Sequence, residues 1–215
     1  KMLSLLDGSY KILEESGFQI DHEYFLNLFE KNGMKVDYQK KRVRLEKSFI
    51  EKILKPTGNR IPISNIRNAL LPEYHVGGTY PKYFDHKMNR TVLGDESIFL
   101  DNIRIFTNIS EFSEIDRPVA VSDFPSATEA IESTALLIKH CPKPGRGEVG
   151  RADNISYLVK LGEIYTGEKN STFFVAPWTF VIPPLKISHE EGEMILQRSR
   201  YFTEPACGSM ISSGI

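Results

Sequence analysis

From residue 118 onward the chain alternates short apolar runs with amphipathic stretches of about a dozen residues, and this rhythm restricts the fold more than any other feature. Pro118–Val121 is a short apolar run, followed by Asp123-Phe124-Pro125 and a helical pattern over Thr128–His140. Pro144–Val149 is a weaker run, followed by a helical pattern from Arg151 or Ala152 to Tyr165. Thr172–Ala176 reads as a buried strand running out into an aromatic, proline-stiffened loop. Ser188 and Glu191 form a capping box that opens a helix to about Phe202, and Pro205–Ile211 begins a further strand. Strands alternating with helices of this length predict βαβ units and a parallel sheet.

What precedes the rhythm reads differently. Met2, Leu5, Leu6, Ile12 and Leu13 predict a first helix over 2–16, stopped at Gly17. Asp21 is placed to cap a second helix, Tyr24–Lys31. Val36, Tyr38, Val43 and Leu45 alternate with charges and predict a hairpin within Met34–Glu46. Ser48 with Glu51 forms a capping box for a short helix that Pro56 closes. Residues 1–56 are thus a helical leader with a hairpin, and 57–72 a polar connection. Residues 76–92 predict extended structure with a turn at His86–Asn89, and Asp95 caps a helix through Asn108.

Four βα units and a lone fifth strand are fewer than a closed eight-stranded barrel requires, which takes roughly 200 residues or more. The expected fold class is therefore α/β: residues 73–215 as the N-terminal part of a TIM-type βα-barrel, incomplete here, behind the helical leader. The chain is expected to be part of a longer one.

Composition narrows the function classes. The 215 residues are 40% apolar and 26% charged with a net charge of −1, and no basic run suggests nucleic acid. Cys141 and Cys207 sit in no CxxC or Cys/His cluster, which disfavours a disulfide framework or zinc finger and favours a reduced, cytoplasmic setting. Pro177, Pro183 and Pro184 break the longest apolar run below membrane-spanning length, and Asp7, Glu14 and Glu15 interrupt any signal-peptide core. The five histidines, His22, His75, His86, His140 and His189, are scattered without metal spacing, so no metal is expected. Gly145-Arg-Gly-Glu-Val-Gly150 fits G-x-G-x-x-G, but Cys141-Pro-Lys-Pro144 stands where a dinucleotide site needs a buried strand.

Candidate ligand contacts are aromatic. Trp178 and Phe180, with Tyr83 or Phe84, can form a wall whose faces attract a quaternary ammonium by roughly 0.5–2 kcal/mol each. The competing role for these rings is packing, the commoner one for a lone tryptophan after a strand. Asp123 either faces a cationic substrate or caps the next helix, and capping is the more frequent use. Arg151 and Asp153 suit a polar contact or a cap, with the cap favoured. No acid–base or nucleophile set is discernible, so catalytic residues stay unassigned.

Several stretches resemble the trimethylamine methyltransferase family. Ile12-Leu-Glu-Glu-Ser-Gly-Phe-Gln-Ile-Asp21, Gly33-Met-Lys-Val-Asp37 and Arg42-Val-Arg-Leu45 are similar to its opening. Asp85, Arg90 and Asp95 resemble its aspartate-x-x-x-glycine-x-arginine stretch, with Asn89 in place of the glycine. His140-Cys-Pro-Lys-Pro144 resembles its lysine-proline after the second helix. Pro183-Pro-Leu185 and Pro205-Ala-Cys-Gly208 resemble its serine-proline-leucine helix and its last matched strand; Pro183 departs from the serine, and Cys207 intervenes before the glycine. The resemblance runs the length of the chain in short pieces held together by order and spacing. It implies a TIM barrel that moves a methyl group from a methylated amine, trimethylamine or a quaternary amine such as glycine betaine, to the Co(I) corrinoid of a separate carrier protein. No cofactor would be bound by this chain itself. Gly208 joins the expected substrate-binding set, and a homo-oligomer is expected. The alternatives are a non-catalytic, truncated or degenerate barrel that binds an amine or a partner, and an unrelated βα-barrel enzyme.

Overall fold

The computed structural model describes residues 2–53, 74–176, 178–182, 184–202 and 206–209. It is mixed α/β, with seven helices and several small sheets among these residues. The chain divides into two compact units: Lys1–Ala69 with Trp178–Leu196 and Pro205–Ile215, and Leu70–Pro177 with Gln197–Glu204.

The first unit opens with α1 (Met2–Glu15) and β1 (Phe18–Ile20), then α2 (Glu23–Lys31), β2 (Lys35–Asp37), β3 (Arg42–Arg44) and α3 (Lys47–Ile53). Gly17 has φ +67°, and a Cβ there would sit 2.9 Å from the Val43 carbonyl carbon and nearer its oxygen, so only glycine lets β3 pass. The hairpin forms as expected, but its sheet also holds β1, which the Phe18-Gln19-Ile20 triplet is too short to announce, and β9 (Lys186–Ile187) in the order β2-β3-β1-β9. β9 runs parallel to β1, so a late segment completes the sheet of the leader. Ile20, Leu26 and Val43 form the core of this unit.

Two expected caps differ. Position 22, not Asp21, is the N-cap of α2, and its side chain makes no cap bond. Asp21 instead faces Lys186 Nζ at 2.7 Å, a hydrogen-bonded pair that holds its carboxyl below the usual range. α3 starts at Lys47, one residue before Ser48, so the capping box is not the helix start; Pro56 and the 57–72 connection lie outside the described residues. His22 is 5% exposed, its Nε2 3.0 Å from Glu193 Oε1 on α7 (His189–Arg198). Gly192 lets that helix approach the imidazole, since a Cβ would lie 2.7 Å from His22 Cγ. Ser188 does open α7, its Oγ accepting from Glu191 N at 3.1 Å. β8 (Trp178–Val181) and β10 (Ala206–Ser209) flank α7 and pair in parallel.

The second unit holds β4 (Tyr74–Val76), the hairpin β5 (Lys82–Asp85) and β6 (Arg90–Leu93), α4 (Glu96–Thr107), β7 (Phe112–Ile115), α5 (Glu129–His140) and α6 (Asn154–Thr166). Asp95 caps α4 as expected, accepting from Ile98 N at 2.8 Å. β4 pairs in parallel with β7, and further parallel bridges join Tyr80 to Val119, Ile115 to Pro144 and Gly147 to Val175. Neighbouring chain segments therefore lie side by side in sequence order, with α4, α5 and α6 as the successive connections. These pairings close no barrel among the described residues.

The strand positions differ from expectation in three places; in the first, Pro144–Val149 contributes only single bridges at Pro144 and Gly147. The strand before α5 is Phe112–Ile115; of the expected run Pro118–Val121, Val119 makes one parallel bridge to Tyr80, and Val119 and Val121 are buried in the core. Thr172–Ala176 contributes one bridge at Val175; the regular strand is Trp178–Val181, within the segment expected to be a loop. Phe173 and Phe174 turn toward Tyr165 of α6, with ring centroids 5.4 and 5.2 Å away. Aromatic packing thus consumes the apolar character that suggested a strand.

Candidate functional site

The core of the second unit decides which face of its sheet is free. Ile115 packs with Phe99 and Ile103 of α4 and Leu137 of α5, and Val76 packs against the same cluster. Side chains alternate along a strand, so Glu114 and Asp116, flanking Ile115, and His75, preceding Val76, point to the opposite face. The register sets His75 directly beside Glu114 across β4 and β7. His75, Glu114 and Asp116 each offer a metal-ligating atom, all within 4.8 Å of one another. His75 Nδ1 and Glu114 Oε2 are 3.0 Å apart, yet Oε2 is buried and has no hydrogen-bond partner. Asp116 Oδ1 is likewise buried and without a partner. Burial raises the pKa of the Asp116 carboxyl; the Arg146 amide and the His75 charge pull against that rise.

Glycines make this arrangement possible. A Cβ at Gly77 would lie 2.6 Å from the Asp116 carbonyl oxygen, and one at Gly145 would lie 3.2 Å from Asp116 N and closer still to Oδ1. A Cβ at Gly147 would fall 3.0 Å from Arg117 Cζ. The first two glycines of the G-x-G-x-x-G match therefore serve close approach between neighbouring segments. α6 starts only at Asn154, beyond the last glycine.

Arg117 faces the helix side and is 1% exposed. Its Nη1 donates to Glu129 Oε2 at 3.2 Å and to Ser133 Oγ at 2.8 Å, and its Nη2 donates to the Glu148 carbonyl. Burial lowers its pKa, with the Glu129 charge opposing the shift. This cation holds α5 to the sheet and is spent on the fold.

The expected ligand residues are distributed over both units. Phe180 lies on β8 in register with Gly208 of β10, two residues beyond Trp178. Tyr83 and Phe84 lie on β5; Tyr83 lines a shallow hollow with Ile98, Asn102 and Ile105, and Phe84 is 45% exposed with its ring 5.0 Å from His86. Asp123 accepts from Glu96 N at 3.0 Å, so it serves a helix start, that of the preceding α4 rather than of α5. Arg151 and Asp153 pair with each other at 2.8 Å on the surface. Sequence reasoning missed the His75–Glu114–Asp116 group because it forms across strands, where histidine spacing along the chain carries no signal. The usable clue was Glu114 and Asp116 at two-residue spacing around a buried isoleucine.

No helix among the described residues is long and apolar enough to cross a membrane. No protein-family model matches this chain, and no curated protein matches it.

Proposed function

We propose that this chain is the N-terminal part of a TIM-type βα-barrel that moves a methyl group from a methylated amine to the Co(I) corrinoid of a carrier protein. The observation that carries the reading is the run of parallel pairings in chain order, from β4 through β7 and Pro144–Gly147 to Val175, each step crossed by a helix. That is the local pattern of successive barrel units, whose ligand sites form at the C-terminal ends of the strands. Asn89 stands where the family has glycine, and its φ of +49° is the left-handed conformation that asparagine tolerates best after glycine.

In this reading the reaction is a displacement at carbon. The C–N bond breaks with its electron pair left on the amine nitrogen, and the methyl group passes to cobalt. The protein's work is to hold the amine, align it and exclude water. Each unit offers its own proposed ammonium-binding residues: Phe180 with Gly208, and the sequence candidate Trp178, in the first, and Tyr83 or Phe84 in the second. The partners are the amine and the carrier protein, in a cytoplasmic homo-oligomer. The test is incubation of the full-length encoded protein with trimethylamine, glycine betaine and related amines plus a Co(I) carrier. Loss of the Co(I) absorbance with at least one amine is expected, and no methylation with any of them refutes the assignment.

A further inference from the structure

We infer that His75, Glu114 and Asp116 form a binding site for one divalent first-row cation of the Zn2+ type. Three observations converge. His75 of β4 and Glu114 of β7 are paired in register, Asp116 directly follows β7, and their ligating atoms lie within 4.8 Å of one another. The imidazole Nδ1 and the Glu114 Oε2 stand 3.0 Å apart without a hydrogen bond between them, and Oε2 and Asp116 Oδ1 are buried without any other partner. Two buried carboxylate oxygens with no hydrogen-bond donor are acceptors that a cation would satisfy. Finally, Gly77 and Gly145 keep side-chain atoms away from Asp116.

One imidazole and two carboxylates give a mixed N/O set suited to Zn2+, Mn2+ or Fe2+, and less suited to Mg2+ or Ca2+, which prefer oxygen alone. Three protein ligands leave a position open for water or a substrate heteroatom, the arrangement of catalytic rather than structural zinc sites. The inference stands apart from the methyl-transfer reading, because metal uptake is measured without turnover.

The experiment is titration of the metal-free full-length protein with Co2+, followed by visible absorbance and competition with Zn2+. One equivalent of Co2+ is expected, with d–d bands that Zn2+ abolishes. His75→Gln, Glu114→Gln and Asp116→Asn should each weaken uptake by about 100-fold, while His86→Ala leaves it unchanged. The imidazole nitrogen resonances of His75 in the wild-type protein should also shift on adding Zn2+, a readout that needs no variant to fold. Absence of stoichiometric uptake, uptake indifferent to the three substitutions, or an unmoved His75 resonance overturns the site.

Discussion

Glu129→Gln tests whether the buried cation on the helix side is held as the structure describes. Arg117 is 1% exposed, and Glu129 is its only carboxylate within ion-pair distance among the described residues, at 3.2 Å. Glu129 also accepts from Val121 N at 3.0 Å through its other oxygen. The substitution keeps the size and an acceptor for that amide but removes the charge opposing the guanidinium. Breaking a buried pair in this way costs about 3–5 kcal/mol. The Glu129 side chain is 18% exposed, so water offsets part of the loss and about 2–3 kcal/mol is expected. For a chain of this size that lowers Tm by roughly 5–10 °C. Urea denaturation followed by far-UV circular dichroism reads the free energy, and a scanning measurement reads Tm. Arg117→Met combined with Glu129→Leu should cost less than Glu129→Gln alone, because no charge is left buried. A Glu129→Gln protein within about 0.5 kcal/mol of wild type would show that Arg117 is solvated in ways the fold does not reveal, and would refute the reasoning.

Two further outcomes are expected. Gly17→Ala places a Cβ against the Val43 carbonyl at a φ of +67° and should cost about 2–4 kcal/mol, whereas Gly8→Ala, in α1 with nothing within 4 Å, should gain up to about 1 kcal/mol; urea midpoints compare the two. Asp116→Asn should stabilise the metal-free protein at neutral pH. The folded pKa of Asp116 is raised, so the native state loses stability as pH climbs from the ordinary value of 3.8 through the folded pKa, and the gain should vanish below 3.8; a pH series of Tm values checks the sign.

The elements whose ends and periods agree are those legible from residues alone. α4 pairs the Asp95 cap with a helical apolar face, and α7 begins at the Ser188 cap. The β5–β6 hairpin turns where Asn89 permits it. Elsewhere apolar character misled, because burial and strand pairing are separate properties. Val121 is a core residue beyond the strand, Val119 adds only a single bridge, and Phe173 and Phe174 pack on Tyr165. Asp21 resembles a cap by position, but Lys186, far away in sequence, competes for it. The His75–Glu114–Asp116 group was hidden for the same reason. Glu114 and Asp116 are local to each other, but His75 is joined to them by the register of two parallel strands, which no local pattern encodes.

The most direct test of the central reading is the stoichiometry of methyl transfer by the full-length protein. One amine demethylated for each Co(I) carrier methylated, with the rate falling when Trp178 or Phe180 is replaced by alanine, is the predicted result. Demethylation without methyl-cobalt formation, or neither product with trimethylamine, glycine betaine and related amines, would contradict it.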